Sequence, residues 1–320
     1  MVCRQVVVSK TQTRFFISTS HQTQAVMITT QKTKPALTGV PETLLGTALS
    51  KALDAISPSP ILRDTWAAEM CLTKIDYDFS RLEVPGWMQA WAVLRSRDLD
   101  RWTSEFLDLH AHSPNGATVV HVACGLDTRA LRLQRYFSRM PLRWIDVDLP
   151  DVIKLRRELL PDPLLADAPG SAYEMQATSA TEADWYRGIP ADRPTVIVIE
   201  GLSMYLAEEE MRVLVCGLVG HFGQSQRHHG HLIFDVTNSF AMAAQGWMKP
   251  LVKSGSRFNW GLDRPVSIEA WAEGLTLREE LWLTGRPLIK ELPWRLRVQF
   301  ALAAALPGFS DFHRMLRYSF

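Results

Sequence analysis

Gly125 and Asp148 are the two residues best placed by type and spacing to hold a small ligand between them. Gly125 sits in a tight turn, Ala123-Cys124-Gly125-Leu126, where the missing Cβ lets backbone approach a ligand and adopt positive φ. Asp148 ends the next apolar run about twenty residues on, where a carboxylate can accept hydrogen bonds from both hydroxyls of a ribose. Asp146 lies one pleat earlier on the same side and is the weaker candidate. A dinucleotide would ask for G-x-G-x-x-G so that its pyrophosphate can rest on a helix end. Those three positions here read Ala123, Gly125 and Thr128, and Asp127 puts negative charge where a pyrophosphate would lie. S-adenosylmethionine has no phosphate and carries a sulfonium cation. The residues favour the methyl donor.

The elements that must position these two residues form one βαβ unit. Thr118 to Ala123 is short, apolar and rich in β-branched residues, as a buried strand should be. Asp127 and Thr128 supply N-cap chemistry for a helix carrying Ala130, Leu131, Leu133 and Phe137, which Pro141 ends. Leu142 to Val147 is the second strand.

Alternation continues with a helix from Pro150 to about Leu160, strands at Tyr173–Thr178 and Thr195–Ile199, a helix from Glu208 to Phe222, and a strand at His231–Val236. Strands alternating with helices predict an α/β fold, a Rossmann-like, doubly wound, mostly parallel sheet. Upstream, helical spacing marks Glu42–Ile56, Leu62–Ile75 and Trp87–His112, with a Ser57–Pro60 break between the first two. Downstream, residues 240–264 read as a lid or insertion. Its Trp247, Met248, Phe258 and Trp260 suit either an aromatic pocket or ordinary core. Ile268–Gly274 is helical, Leu275–Leu283 a strand, Pro293–Leu306 a helix and Phe312–Phe320 a last strand.

Residues 1–41 hold no acid and are rich in Ser, Thr and Gln, so a disordered tail is expected there rather than a transit peptide. The rest, 42–320, is expected as one domain, with a helical cover over 42–115 and the sheet core over 116–320. A chain that is 47% hydrophobic and 22% charged is built to bury a core. A formal net charge of +1 gives no electrostatic case for nucleic acid or an anionic membrane. No apolar run reaches the length of a membrane span. Cys3, Cys71, Cys124 and Cys216 are scattered without metal-ligand spacing and suit a reducing cytoplasm. His228, His229 and His231 flank a glycine in a polar turn, where a solvated turn is the better reading than a metal site.

The segments VVHVACGLDTRALRL and WIDVDLPDVIKLRREL, with ILRD near Ile61, IDYDF at Ile75 and EGLSMYL at Glu200, resemble the family of leucine carboxyl methyltransferases and polyketide O-methyltransferases. The resemblance runs from about Glu42 to the C-terminus and implies an S-adenosylmethionine-dependent enzyme. Ala123 departs from it, since glycine is common there. The resemblance implies that the helices before the first strand cover the cofactor, and that an antiparallel pair closes the sheet edge. It implies Asp148 as the ribose ligand, against a bland role as cap of the helix at Pro150. It implies an arginine on the long helix for the cofactor's carboxylate, with Arg97 preferred over Arg95. Glu200 would accept from the cofactor's amino group, against a structural salt bridge. Tyr205 would line the same edge, and Ser179 and Ala180 would meet the adenine. His121 and Cys124 are read as packing residues.

Methyl transfer needs alignment and exclusion of water more than proton transfer. No general base stands out in the sequence. An ionised carboxylate needs none, whereas a phenol, with a pKa of about 10, does. The expected activity is O-methylation of a small secondary metabolite, a polyketide or other aromatic acceptor. A protein C-terminal carboxyl methyltransferase and a nicotinamide-dependent oxidoreductase are the rivals.

Overall fold

A computed structural model describes residues 4–8, 13–19, 22–25, 32–35, 41–164, 168–223, 230–247, 255–285 and 287–320. Strands β1 (Arg4–Val8), β2 (Thr13–Thr19) and β3 (Gln22–Ala25) form a small antiparallel sheet of their own. Thr33 bridges to Ile75, its amide donating to Lys74 O at 2.7 Å. These features lie in the stretch expected to be disordered. Its β-branched and aromatic clusters, Val6–Val8 and Phe15–Ile17, supply the strand propensity that its polar composition masks.

The main sheet comprises β4 (Ala117–Val122), β5 (Leu142–Asp148), β6 (Ala172–Ala177), β7 (Thr195–Ile199), β8 (Gly230–Thr237), β9 (Thr276–Trp282) and β10 (His313–Ser319). Its spatial order is β6-β5-β4-β7-β8-β10-β9. β4 pairs in parallel with both β5 and β7, so the winding reverses direction at β4. Open α/β sheets bind ligands in the crevice that such a reversal opens at the carboxyl ends of the strands. The fold predicted from sequence is the one observed, and an antiparallel pair, β9 with β10, closes one sheet edge. β10 lies between β8 and β9, antiparallel to both, so β9 forms the edge itself.

Every residue of β4 and β7 is buried, as strands covered on both faces must be. Val120, Val122, Ile197 and Ile199 pack under helix α6 (Glu208–Phe222) through Leu214, Val215 and Leu218. The alternate residues Val119, Val196 and Val198 face the other side. There they meet Leu99, Trp102 and Phe106 of α3 (Gly86–Leu109). Helix α1 (Pro41–Ala55) and the short α2 (Thr65–Glu69) pack together and join the core through Leu126, Leu131 and Leu155. Asp54 holds the break between them, accepting from the amides of Ile61, Leu62 and Arg63.

Two predicted helices come out shorter. The one expected over Leu62–Ile75 is α2 followed by a π-helical turn at Met70–Lys74. The one after the glycine turn is only α4 (Arg129–Arg132), followed by a 3-10 turn at Gln134–Tyr136. Neither Asp127 nor Thr128 caps α4, because both side chains are engaged elsewhere. The remaining α-helices among the described residues are α5 (Pro150–Leu159), α7 (Ser239–Ala244) and α8 (Trp294–Ala304), and Pro265–Trp271 is a 3-10 helix. No described helix is long and apolar enough to cross a membrane.

Candidate functional site

A cavity of about 630 Å³ lies at the carboxyl ends of β4, β5 and β7, walled by α1 and by residues 256–259. Its floor is the glycine turn. Ala123 and Gly125 both take positive φ, at 52° and 53°. Glycine holds that conformation without strain, whereas a Cβ costs roughly 1–2 kcal/mol. Ala123→Gly should therefore raise stability by about 0.5–1 kcal/mol once the looser unfolded chain is counted, moving the thermal midpoint up by roughly 2 °C. A melting curve checks this, and a drop would contradict it. At Gly125 any Cβ would stand 3.2 Å from Leu44 Cδ1, so α1 presses closely on the turn.

Asp148 faces this turn. Its Oδ2 accepts from Gly125 N at 2.6 Å and its Oδ1 from Leu149 N at 2.8 Å. It does not cap α5, whose N-cap is Leu149. Burial raises the Asp148 carboxyl above its ordinary range, against the two amides that favour the anion. Asp146 is fully buried, outside the cavity wall, bound to Arg156, Trp144 Nε1 and the Tyr173 hydroxyl. Arg156 of α5 also donates to the carbonyls of Gly125 and Asp127, both at 2.8 Å, and so fixes the turn from below.

Beside the turn lies a buried network of ion pairs. Lys51 of α1 sits 3.2 Å from Asp127 and 3.3 Å from Glu200. Arg129 reaches Asp100 at 2.7 Å, Glu200 at 2.5 Å and Asp127 at 3.4 Å. Arg132 reaches Asp64, Asp100 and Asp127, each at 2.7 Å. Arg95 binds Glu200 at 3.2 Å and Asp235 at 3.0 Å. Burial alone would raise the Asp127 carboxyl, but Arg132, Lys51 and Arg129 outweigh it and hold it well below the ordinary range. Glu200 is likewise held low, Lys51 and Arg95 outweighing its burial. His121, buried, lies between this network and Asp146, its Nε2 3.1 Å from Arg129.

Of the residues expected at the site, Ala123, Gly125, Asp148, Ser179, Ala180, Glu200 and Tyr205 all border the cavity. Arg97 does not. It is exposed on α3, and Arg95, half a turn away on the buried face, borders the cavity instead. Glu200 is occupied by protein donors: Lys51, Arg95 and Ser96 on Oε1 and Arg129 on Oε2. Its salt bridges are thus real and its free lone pairs few. Tyr205 lies edge-on to Phe258, and burial pushes its phenol up to about 12. The Cys124 thiol is raised well above its ordinary value by burial, as befits a packing residue.

Sequence reading missed Lys51, Asp64, Asp100, Arg129, Arg132, Arg156 and Asp235. Of the aromatic insertion, Phe258 borders the cavity while Trp260 is core, tilted on Trp271. Met248, His228 and His229 lie outside the described residues, as does the Trp247 side chain. Among the described residues no group of three His, Cys, Asp or Glu is arranged to hold a metal ion.

Comparison with known proteins is consistent with this geometry. Residues 44–218 match the family profile described as leucine carboxyl methyltransferase. The tetracenomycin polyketide synthesis O-methyltransferase TcmP of Streptomyces glaucescens is 35% identical over 284 residues, 89% of this chain and 98% of that protein. The S-adenosyl-L-methionine-dependent methyltransferase dpfgK of Gibberella zeae is 34% identical over 265 residues, 80% of this chain and 86% of its own. Among solved structures, a DUF574-family protein from Streptomyces avermitilis superposes with a TM-score of 0.50 at 12% identity, covering 85% of this chain and 96% of that one. At that identity the likeness concerns the fold alone.

Proposed function

The chain belongs to the leucine carboxyl methyltransferase family, and from that premise we propose that it transfers a methyl group from S-adenosyl-L-methionine to an oxygen of a small secondary metabolite, a polyketide or other aromatic acceptor. The observation that carries this reading is the pairing of Asp148 with the Gly125 turn at the floor of a cavity large enough for a nucleoside and an acceptor. The donor set fits the cofactor. Asp148 would take the ribose hydroxyls, Ser179 and Ala180 the adenine, and Lys51 and Arg95 the amino-acid end. Glu200 would serve by aiming those two cations. When bound, the cofactor supplies a methyl carbon already activated by sulfonium.

The chain's own residues align the partners and exclude water. Neither Asp127 nor Glu200, the network acids that border the cavity beside α1, offers a base, because both are held ionised and weakly basic by their cations. Tyr205 is no better, its phenol staying protonated at neutral pH. The acceptor oxygen should therefore arrive ionised, as a carboxylate or an acidified phenol. Met204, Tyr205 and Phe258 give it an apolar surface to lie on. Ala123 and the acid at Asp127 argue against a nicotinamide dinucleotide. A cytoplasmic setting belongs to this reading, supported by the free thiols of Cys71, Cys124 and Cys216.

Calorimetric titration of the full chain with S-adenosylhomocysteine should show stoichiometric binding. Incubation with labelled methyl donor should then label small metabolites rather than peptides ending in a free leucine carboxylate. Absence of binding would end the proposal, and labelled peptide would move the acceptor to proteins.

A further inference from the structure

Among the described residues, three cations other than histidine border the cavity: Lys51, Arg95 and Arg257. Two of them already have acid partners and, in the reading above, give their remaining donors to the cofactor's amino-acid end. Lys51 pairs with Asp127 and Glu200, and Arg95 with Glu200 and Asp235. Arg257 has no acid partner among the described residues. It is exposed at the rim, on the side formed by Met204, Tyr205 and Phe258. An arginine on an open loop usually signifies only solubility, yet the backbone that carries this one is held in place. The Phe258 amide donates to Gln245 Oε1 at 2.8 Å, and Gln245 Nε2 donates back to Phe258 O at 3.2 Å. The Asn259 amide donates to Met204 O at 2.8 Å, and Asn259 Nδ2 to Tyr205 O at 2.7 Å. The backbone beside Arg257 is thus pinned to the strip that faces the acceptor.

Resting on the methyltransferase reading above, we propose that Arg257 is a specificity-determining residue that selects acceptors carrying an ionised group apart from the oxygen that receives the methyl. A guanidinium with no acid partner among the described residues, beside the apolar strip of Met204, Tyr205 and Phe258, is complementary to a flat apolar body with an anionic substituent. A guanidinium binds carboxylate bidentately, and an acceptor's body lying over the rim displaces water and strengthens the pair. The ionised group must be a second one. An attacking oxygen held by two N–H donors has its lone pairs engaged and is a poorer nucleophile, so an arginine gripping it would slow transfer. Position agrees, since Arg257 stands at the exposed mouth while Gly125 and Asp148 lie on the floor.

The test uses the full chain saturated with S-adenosylhomocysteine and titrated with 3-hydroxy-2-naphthoate or with its methyl ester. The acid should bind roughly tenfold more tightly than the ester. Arg257→Gln should erase that preference without changing affinity for the ester or for S-adenosylhomocysteine, and Arg257→Lys should keep part of it. Equal or absent binding of acid and ester by the unaltered chain overturns the proposal. So does a preference that survives Arg257→Gln, or a loss that falls on acid and ester alike. Failure of S-adenosylhomocysteine to bind at all overturns the methyltransferase reading first, and is seen before any naphthoate is added.

Discussion

Asp148→Ala binds S-adenosylhomocysteine at least about thirtyfold more weakly than the unaltered chain, on the expectation that two hydroxyl hydrogen bonds to a carboxylate are lost together, about 2–4 kcal/mol. The change should spare the fold, because Asp148 lies at a half-buried strand end and contributes no ion pair to the buried network. Asp148→Asn, which keeps one acceptor oxygen, should fall between the two. A pH series adds a second readout. The ribose needs the ionised carboxylate, and burial has raised its titration. Affinity should therefore begin to fall, as pH is lowered, earlier than an ordinary aspartate would allow, and the asparagine variant should lack that limb. Calorimetry on the three proteins checks both points. Unchanged affinity in Asp148→Ala would remove the ribose assignment.

Arg129→Met should have the largest effect on stability, a loss of about 3–5 kcal/mol. Arg129 is wholly buried and is shared among Asp100, Asp127 and Glu200, so its removal leaves carboxylates in a dry interior with too few cations. Arg132 and Lys51 hold part of that charge and keep the loss from growing larger. By contrast, Arg187→Met breaks an exposed pair with Asp184 and should cost no more than about 0.5 kcal/mol. Asp127 and Glu200 have lowered folded-state values, so their stabilisation is complete at neutral pH. It is lost as pH falls from the unfolded carboxylate range through those values. Denaturant titrations of both variants measure the difference. Similar midpoints would show that the network contributes little.

The sheet was legible because β4 and β7 are local runs of β-branched residues and β5 and β8 short, mainly apolar runs between turns, a signal that needs no knowledge of neighbours. Gly125 and Asp148 were legible for the same reason, being two ends of one βαβ unit. The ion-pair network was not, since Lys51 and Glu200 are 149 positions apart and nothing local joins them. A trace was present all the same. Lys51 falls on the stripe Leu44, Ala48, Lys51, Ala52 of an amphipathic helix, where a lysine has no solvent to reach. The choice between Arg95 and Arg97 was decidable in the same way. Trp91, Leu94, Asp98 and Trp102 mark the buried face of α3 at helical spacing, and Arg95 lies on it while Arg97 does not. The shortness of α4 was hidden because Asp127 and Thr128 look like caps until Lys51, Arg132 and Asp64 claim them.

The placement of β10 between β8 and β9 bears on kinetics. Its pairing joins Asp235 to Met315, and further in the parallel ladder of β4 with β7 joins His121 to Val198. Neighbours so distant along the chain demand large loop closures before any contact rewards them, which slows refolding. The floor of the cavity belongs to this same ladder, so ligand-binding competence should return only with the slow phase of refolding and never ahead of it.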